Sequence, residues 1–230
     1  GTGTHIGSQD AGGNLFNGHL DEYRNVVGAT VLGVETPPTT AYVYAGEASL
    51  LHFDGGAAAV VITDEYAANA WRASGHAQIS TAQSKFGGAS LLLDGSGDYV
   101  TGAAVALGAG TGFTRSIWFR ATALATARVI LSATENFKFA LRVSATQKLE
   151  INLGDGASWT IANAVAGATT LVTGTWCRAR VVWNGVTYKL YLSVNGAAET
   201  EEASVTSAVA HASGTGTRVG ADHTPAFEFN

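Results

Sequence analysis

The chain ends on a variant of the segment with which it begins. Gly1 to Asn17 read GTGTHIGSQDAGGNLFN and Gly214 to Asn230 read GTGTRVGADHTPAFEFN, with seven identities and an Ile6/Val219 match at a constant offset of 214 − 1 = 213 residues. A repeat at this spacing makes the sequence about one period of a tandem array, opened inside a domain instead of at its edge. The strand-forming residues that come first are then expected to be the last strands of a unit. The lack of any Met, including at position 1, suits a fragment or a processed product.

Short runs of β-branched and aromatic residues recur between Gly, Asn, Asp and Ser clusters, the pattern of a β-sandwich or barrel. No stretch sustains an apolar period of 3.6, so little helix is expected. The runs predict strands at Leu50–Asp54, Ser90–Leu93, Tyr99–Val100, Phe113–Arg120, Arg128–Ser132, Lys138–Val143, Lys148–Leu153, Ser158–Ile161, Thr175–Trp183 and Thr187–Val194. Turns are expected at Gly95–Asp98, Gly154–Gly156, Asn184-Gly185 and Asn195-Gly196, where Gly or Asn takes a positive φ at little cost. The apolar phase of these strands places Phe53, Leu92, Phe119, Val181 and Leu190 in the core. Pro37 and Pro38 cannot donate to a ladder, so Val34–Tyr44 reads as a linker. It separates residues 1–33, the terminal strands of one repeat, from residues 45–230, the body of the next lacking its last strand.

With 46% hydrophobic and 13% charged residues the chain can bury a core. Its 13 Lys and Arg are scattered and its net charge is −5, which argues against nucleic acid as a partner. The longest apolar run, Ala57–Ile62, is far short of a membrane span, so no membrane insertion is expected. Cys177 is the single cysteine and sits among apolar neighbours, as a buried inert thiol would.

LLHFDG at Leu50–Gly55, AQISTAQSKFGGASLLLDGSGDYV at Ala77–Val100, FTRSIWFRAT at Phe113–Thr122, TWCRARVVWNGVTYKLYLSVNG at Thr175–Gly196 and FNGHLDEYRNVVG at Phe16–Gly28 together resemble laminin-G-like, concanavalin A-like jelly-roll modules. The likeness is to tandem copies in bacteriophage tail, fibre and other virion proteins. It covers nearly the whole chain in permuted order, because FNGHLDEYR closes such a domain and LLHFDG opens it. The resemblance implies an all-β, two-sheet antiparallel jelly-roll sandwich in permuted or tandem-repeat register, with first and last strands adjacent. Phe16–Arg24 is therefore expected beside Leu50–Asp54, in its own chain or in a neighbouring copy. It further implies a non-enzymatic virion or surface-fibre module, virion-borne or extracellular, serving adhesion or glycan recognition. Its partners would be neighbouring copies, other virion subunits or cell-surface glycans. A spacer repeat without ligand is the alternative, and a glycan-active hydrolase a disfavoured third.

Retaining hydrolases of this architecture need two carboxylates on one strand face about 5–5.5 Å apart. Glu135, Glu150, Glu199, Glu201, Glu202 and Glu228 lie instead in separate strands or in the acidic loop AAETEEAS, and His19, His52, His76 and His211 in separate elements. The Gly-rich DGSGD turn precedes a strand, not the helix a phosphate cradle requires, so Asp94 and Asp98 are expected to bond backbone amides. No cofactor is expected, save a structural calcium that Asp54, Asp64 and Asp21 would hold if the adjacent end strands bring them together. A hydrogen-bonded Asp at a strand end is the alternative. Trp71, Trp159 and Trp183 flank turns, where a ring could stack on a sugar or pack in the rim. Trp118 and Trp176, in IWF and TWC, are expected in the core.

Overall fold

The structure, a computed structural model, describes residues 15–28, 33–43, 47–66, 69–103 and 112–221. Among them there are strands and no helix. In chain order the strands are β1 (Asn17–Val27), β2 (Ser49–Leu51), β3 (Val61–Ile62), β4 (Trp71–Ser74), β5 (Gln78–Ser80), β6 (Ser90–Asp94), β7 (Tyr99–Ala103) and β8 (Phe113–Ala121). They continue as β9 (Arg128–Ala133), β10 (Phe139–Val143), β11 (Leu149–Leu153), β12 (Ala162–Ala166), β13 (Cys177–Trp183), β14 (Thr187–Val194), β15 (Thr200–Thr206) and β16 (Gly216–Val219). One sheet runs β15-β14-β13-β8-β1-β6-β5, with β2 also on β1, and the other β12-β11-β10-β9-β16-β7-β4-β3. Every pairing between these strands is antiparallel, and apolar side chains of both sheets share one core. The two-sheet jelly-roll sandwich expected from the sequence is the fold observed.

β1 lies inside its sheet. Its whole length pairs with β8, while its other edge is shared by β6, opposite Asn17–Leu20, and β2, in the register Tyr23↔Leu51, Arg24↔Leu50 and Asn25↔Ser49. The slot beside LLHFDG is thus filled from within the same chain. Leu20 and Tyr23, three residues apart, both point into the core, which a regular strand of period two forbids. The register against β8 shifts between Asp21 and Arg24, and Glu22 takes φ 49°, a β-bulge that inserts one residue and restores the inward phase. Gly18 lets β8 come close, since a Cβ there would stand 2.2 Å from the Arg120 carbonyl oxygen.

Phe53, Phe119, Val181 and Leu190 are core residues as expected, whereas Leu92 is half-buried on the opposite face from Leu91 and Leu93. Three consecutive leucines carry no period-two phase, so the sequence leaves that choice open. The strand expected at Ser158–Ile161 forms instead at β12, and the acidic AAETEEAS segment is not a loop: it enters β15 at the sheet edge. Charged side chains on an exposed edge protect it from further pairing.

The outer face of the first sheet is polar and still largely covered. Residues 34–43, the described part of the segment read as a linker, lie over it: Glu35 sits at the β13–β15 side and Tyr42 back at Glu22 of β1. Arg178 and Arg180, outward on β13 and at most 1% exposed, hold Glu199 at 2.7 and 2.5 Å and also meet Glu35 of the crossing segment. Glu35 N–H donates to Glu199 Oε2, Glu199 N–H to the Glu35 carbonyl, and Arg180 to the Gly33 carbonyl. Trp118, on the same face, is buried under Lys85 and Phe86; Trp176 is half-buried just before β13.

Candidate functional site

Where β1 meets β2 the bulge turns Glu22 away from the core. Its carboxylate accepts the Tyr42 amide on one oxygen at 2.9 Å and faces His52 Nδ1 with the other at 2.7 Å. That hydrogen bond, against the opposing pull of partial burial, raises the His52 pKa. The next residue, Phe53, is held at φ 57°, a costly conformation for an aromatic side chain. Beyond it opens a pocket of about 170 Å³, with polar groups from His52, Asp54, Thr63 and Glu65 and apolar walls from Phe53, Ile62 and Ile79. Asp54 is exposed and its pKa is raised, chiefly by desolvation. Its carboxylate lies against Gly87, where a Cβ would come within 2.2 Å of both oxygens. Val61 is exposed at its rim.

This pocket is smaller than the ~300–1,000 Å³ usual for drug-sized ligands, so it admits one sugar ring or a group of similar size. Its imidazole, carboxylates and hydroxyl can hydrogen-bond hydroxyl groups, and Phe53, Ile62 and Ile79 offer an apolar surface beside them. The sequence places His52 only among histidines of separate elements, structural or solvent-facing, and singles out neither Glu22 nor Glu65. The odd Leu20–Tyr23 spacing was the signal for the bulge that sets Glu22.

The aspartates expected to share calcium do not converge. Asp64 is a strand-end hub: its carboxylate accepts the amides of Leu50 and Tyr66, the Ser49 hydroxyl, Asn69 Nδ2 and Trp71 Nε1, all between 2.5 and 2.9 Å. Five donors exhaust its roughly four lone-pair sites, which is the hydrogen-bonded alternative. Asp21 is fully buried and accepts the amides of Glu22, Lys85 and Phe86. The ligand atoms of His76, Asp94 and Asp98 lie within 4.8 Å of one another at the β6–β7 turn, but the Asp98 carboxylate takes the amides of His76 and Asp94 and fixes that turn, as expected.

Burial pushes the Asp21 pKa up to about 8, although the amides of Lys85 and Phe86 favour its ionised form. Since the unfolded value is lower, the native state holds the extra proton between about pH 4 and 8, and stability falls as pH rises through that window. We expect Asp21→Asn to flatten the stability profile, by up to about 1.4 kcal/mol per pH unit. Urea midpoints at pH 5, 6.5 and 8 check it, and an unchanged slope refutes it.

The three tryptophans form no common surface. Trp71 is buried, edge-on to Tyr23 at 5.7 Å and under Gly102, where a Cβ would strike its ring. Trp183 is buried, stacked on Tyr188 at 5.4 Å, with its N–H bonded to the Ser207 carbonyl. Both are corrections to the expectation of sugar-stacking rings, because each ring lies on the core-facing side of its strand, Trp183 in phase with Ala179 and Val181. Trp159 is half-buried on the β11–β12 connection, edge-on to Phe137, with an indole N–H that has no partner.

The carboxylates are engaged one by one. Glu150 pairs with Arg142, Glu199 with the two arginines, Glu201 with Lys189, Glu202 with Thr169 and Ala168, and Glu135 with Thr215; Glu228 lies outside the described residues. Cys177 is buried with its thiol pushed up to about 12 by desolvation. His19 bonds Ser90, His211 is buried against Tyr188, and His76 is exposed.

A laminin-G family model, described as the concanavalin A-like lectin/glucanases superfamily, matches residues 94–230, more than half of the chain. No curated protein matches the sequence. Because the match runs from the end of β6 through β16, and the earlier strands complete the same two sheets, the chain belongs to the concanavalin A-like lectin/glucanases superfamily.

Proposed function

We propose that the chain is a non-enzymatic carbohydrate-binding module that engages a single terminal sugar residue in the His52–Asp54–Glu65 pocket. The observation that carries this reading is the pocket itself: convergent polar groups over an apolar wall, in a family that includes lectins. Against catalysis stands the engagement of Glu135, Glu150, Glu199, Glu201 and Glu202 by cations, hydroxyls or amides, where a hydrolase needs a facing pair of free carboxyl groups. Trp159, with its unpartnered N–H, remains a second stacking surface of the same reading. The bacteriophage-like resemblance and the duplicated ends support a further part of this reading, in which the module belongs to a tandem array of a virion or extracellular fibre with neighbouring copies as partners. No helix among the described residues is long and apolar enough to cross a membrane, and the scattered cations give no phosphate-binding surface.

The duplication by itself also suits a spacer that carries no ligand, and one experiment separates the two. The purified chain on a glycan array should retain a restricted set of termini, with Kd in the millimolar to micromolar range, and Glu65→Gln should weaken binding about tenfold or more, the loss of one charge-assisted hydrogen bond. No retained glycan makes the chain a spacer. Release of saccharide from β-glucans would make it an enzyme.

A further inference from the structure

Arg115, on β8, points into the sandwich and not out of it. It is 5% exposed, and its guanidinium lies 5.2 Å from the Phe113 ring centre and 4.6 Å from that of Phe139. It forms no salt bridge among the described residues, and its Nε has no hydrogen-bond partner. Its cross-strand neighbour on β1 is the uncharged Asn25, whose buried side-chain amide lies beside the buried hydroxyl of Tyr23. The guanidinium faces a cavity of about 10 Å³ lined also by Ala133, Phe139, His211, Gly214, Gly216 and Thr217, none of them acidic. Burial and the Arg115 charge hold His211 well below its ordinary pKa, so the imidazole is neutral and adds no countercharge. Glu135, near Gly214, is committed to Thr215 and Lys138.

An arginine stays protonated, and an unpaired buried charge is strongly destabilising. Aromatic faces offset only a minor part of that. The cavity admits little more than one small sphere, which favours a monatomic ion over phosphate, sulfate or a ligand carboxylate. A water would supply a dipole without charge. We propose that the Arg115 cavity is a buried anion site that takes a single halide ion, chloride in physiological solution. The ion neutralises the guanidinium between the two sheets, where β8, β10 and β16 meet, and so makes the closed sandwich dependent on the anion.

Because the ion binds only the folded chain, stability should rise with its concentration. Thermal unfolding of the full chain in sodium chloride, against sodium gluconate at equal ionic strength, should show a chloride-specific rise in Tm of roughly 3–6 °C per tenfold increase above saturation, as expected for a domain of this size. Arg115→Met, which keeps the volume and drops the charge, should abolish the chloride dependence. If that variant does not fold, crystals of the unaltered chain soaked in bromide decide: an anomalous peak in contact with the Arg115 Nη atoms supports the site. Equal Tm in chloride and gluconate overturns it, as does density showing only a water, or a carboxylate from residues 222–230, at Arg115.

Discussion

A chain lacking residues 1–33 will not fold to a cooperative monomer. Phe16, Leu20 and Tyr23 are completely buried between the sheets, and burying three such side chains is worth on the order of 5–9 kcal/mol. That equals the whole net stability of an ordinary domain, about 5–15 kcal/mol. The deletion also opens the sheet in its middle, because β1 bonds β8 along one edge and β6 and β2 along the other. Two half-sheets would then expose the unpaired edges that promote aggregation. Size-exclusion chromatography and calorimetry on residues 34–230 should show aggregates or no transition. A synthetic peptide of residues 15–28 added in excess should restore a transition whose midpoint rises with peptide concentration. A soluble, cooperative monomer of residues 34–230 alone would show that β1 is dispensable. In the tandem array proposed above, the same strand requirement would let a neighbouring copy supply β1, and the peptide experiment measures the affinity of such an exchange.

The central strands were legible because their chemistry is local. β8, β13 and β14 carry dense apolar and aromatic residues, and the Asn195-Gly196 pair, at φ 56° and 81°, marks the turn out of β14. β3, β4, β5 and β16 were missed because two to four residues hold too little periodicity, and β15 because its charges look like a loop until the sheet edge is known. Trp183 misled for the opposite reason: a turn follows it, but both faces of its strand are covered. The pocket was hidden by two backbone features that no side-chain pattern states, the Glu22 bulge and the positive φ of Phe53. The Arg178–Arg180 pair was visible and overlooked. Two arginines at i and i+2 in CRARVVW must share one face of a strand, and a buried strand can hold them only if acids wait opposite.

Those acids make Glu199 the second critical position. Its carboxylate is fully buried between Arg178 and Arg180, accepts the Glu35 amide, and so ties the crossing segment 33–43 to the sheet. Glu199→Ala leaves two desolvated guanidinium groups to share one carboxylate among the described residues, that of the partly exposed Glu35, at 3.3 and 3.5 Å. Breaking a buried pair in this way costs about 3–5 kcal/mol, equivalent to a Tm drop of roughly 6–20 °C in a chain of this size. Glu201→Ala is the internal control, since its pair with Lys189 is solvent-exposed and such pairs are worth at most about 1 kcal/mol. Hydrogen exchange adds a local readout. In the Glu199 variant the amide of Glu35, which loses its acceptor, should exchange far faster even under conditions where the sheet stays folded. A Tm loss no larger than that of Glu201→Ala would mean that Glu35 alone can neutralise both arginines. Protection of the Glu35 amide without Glu199 would mean that the segment is held by Gly33 and Tyr42 instead.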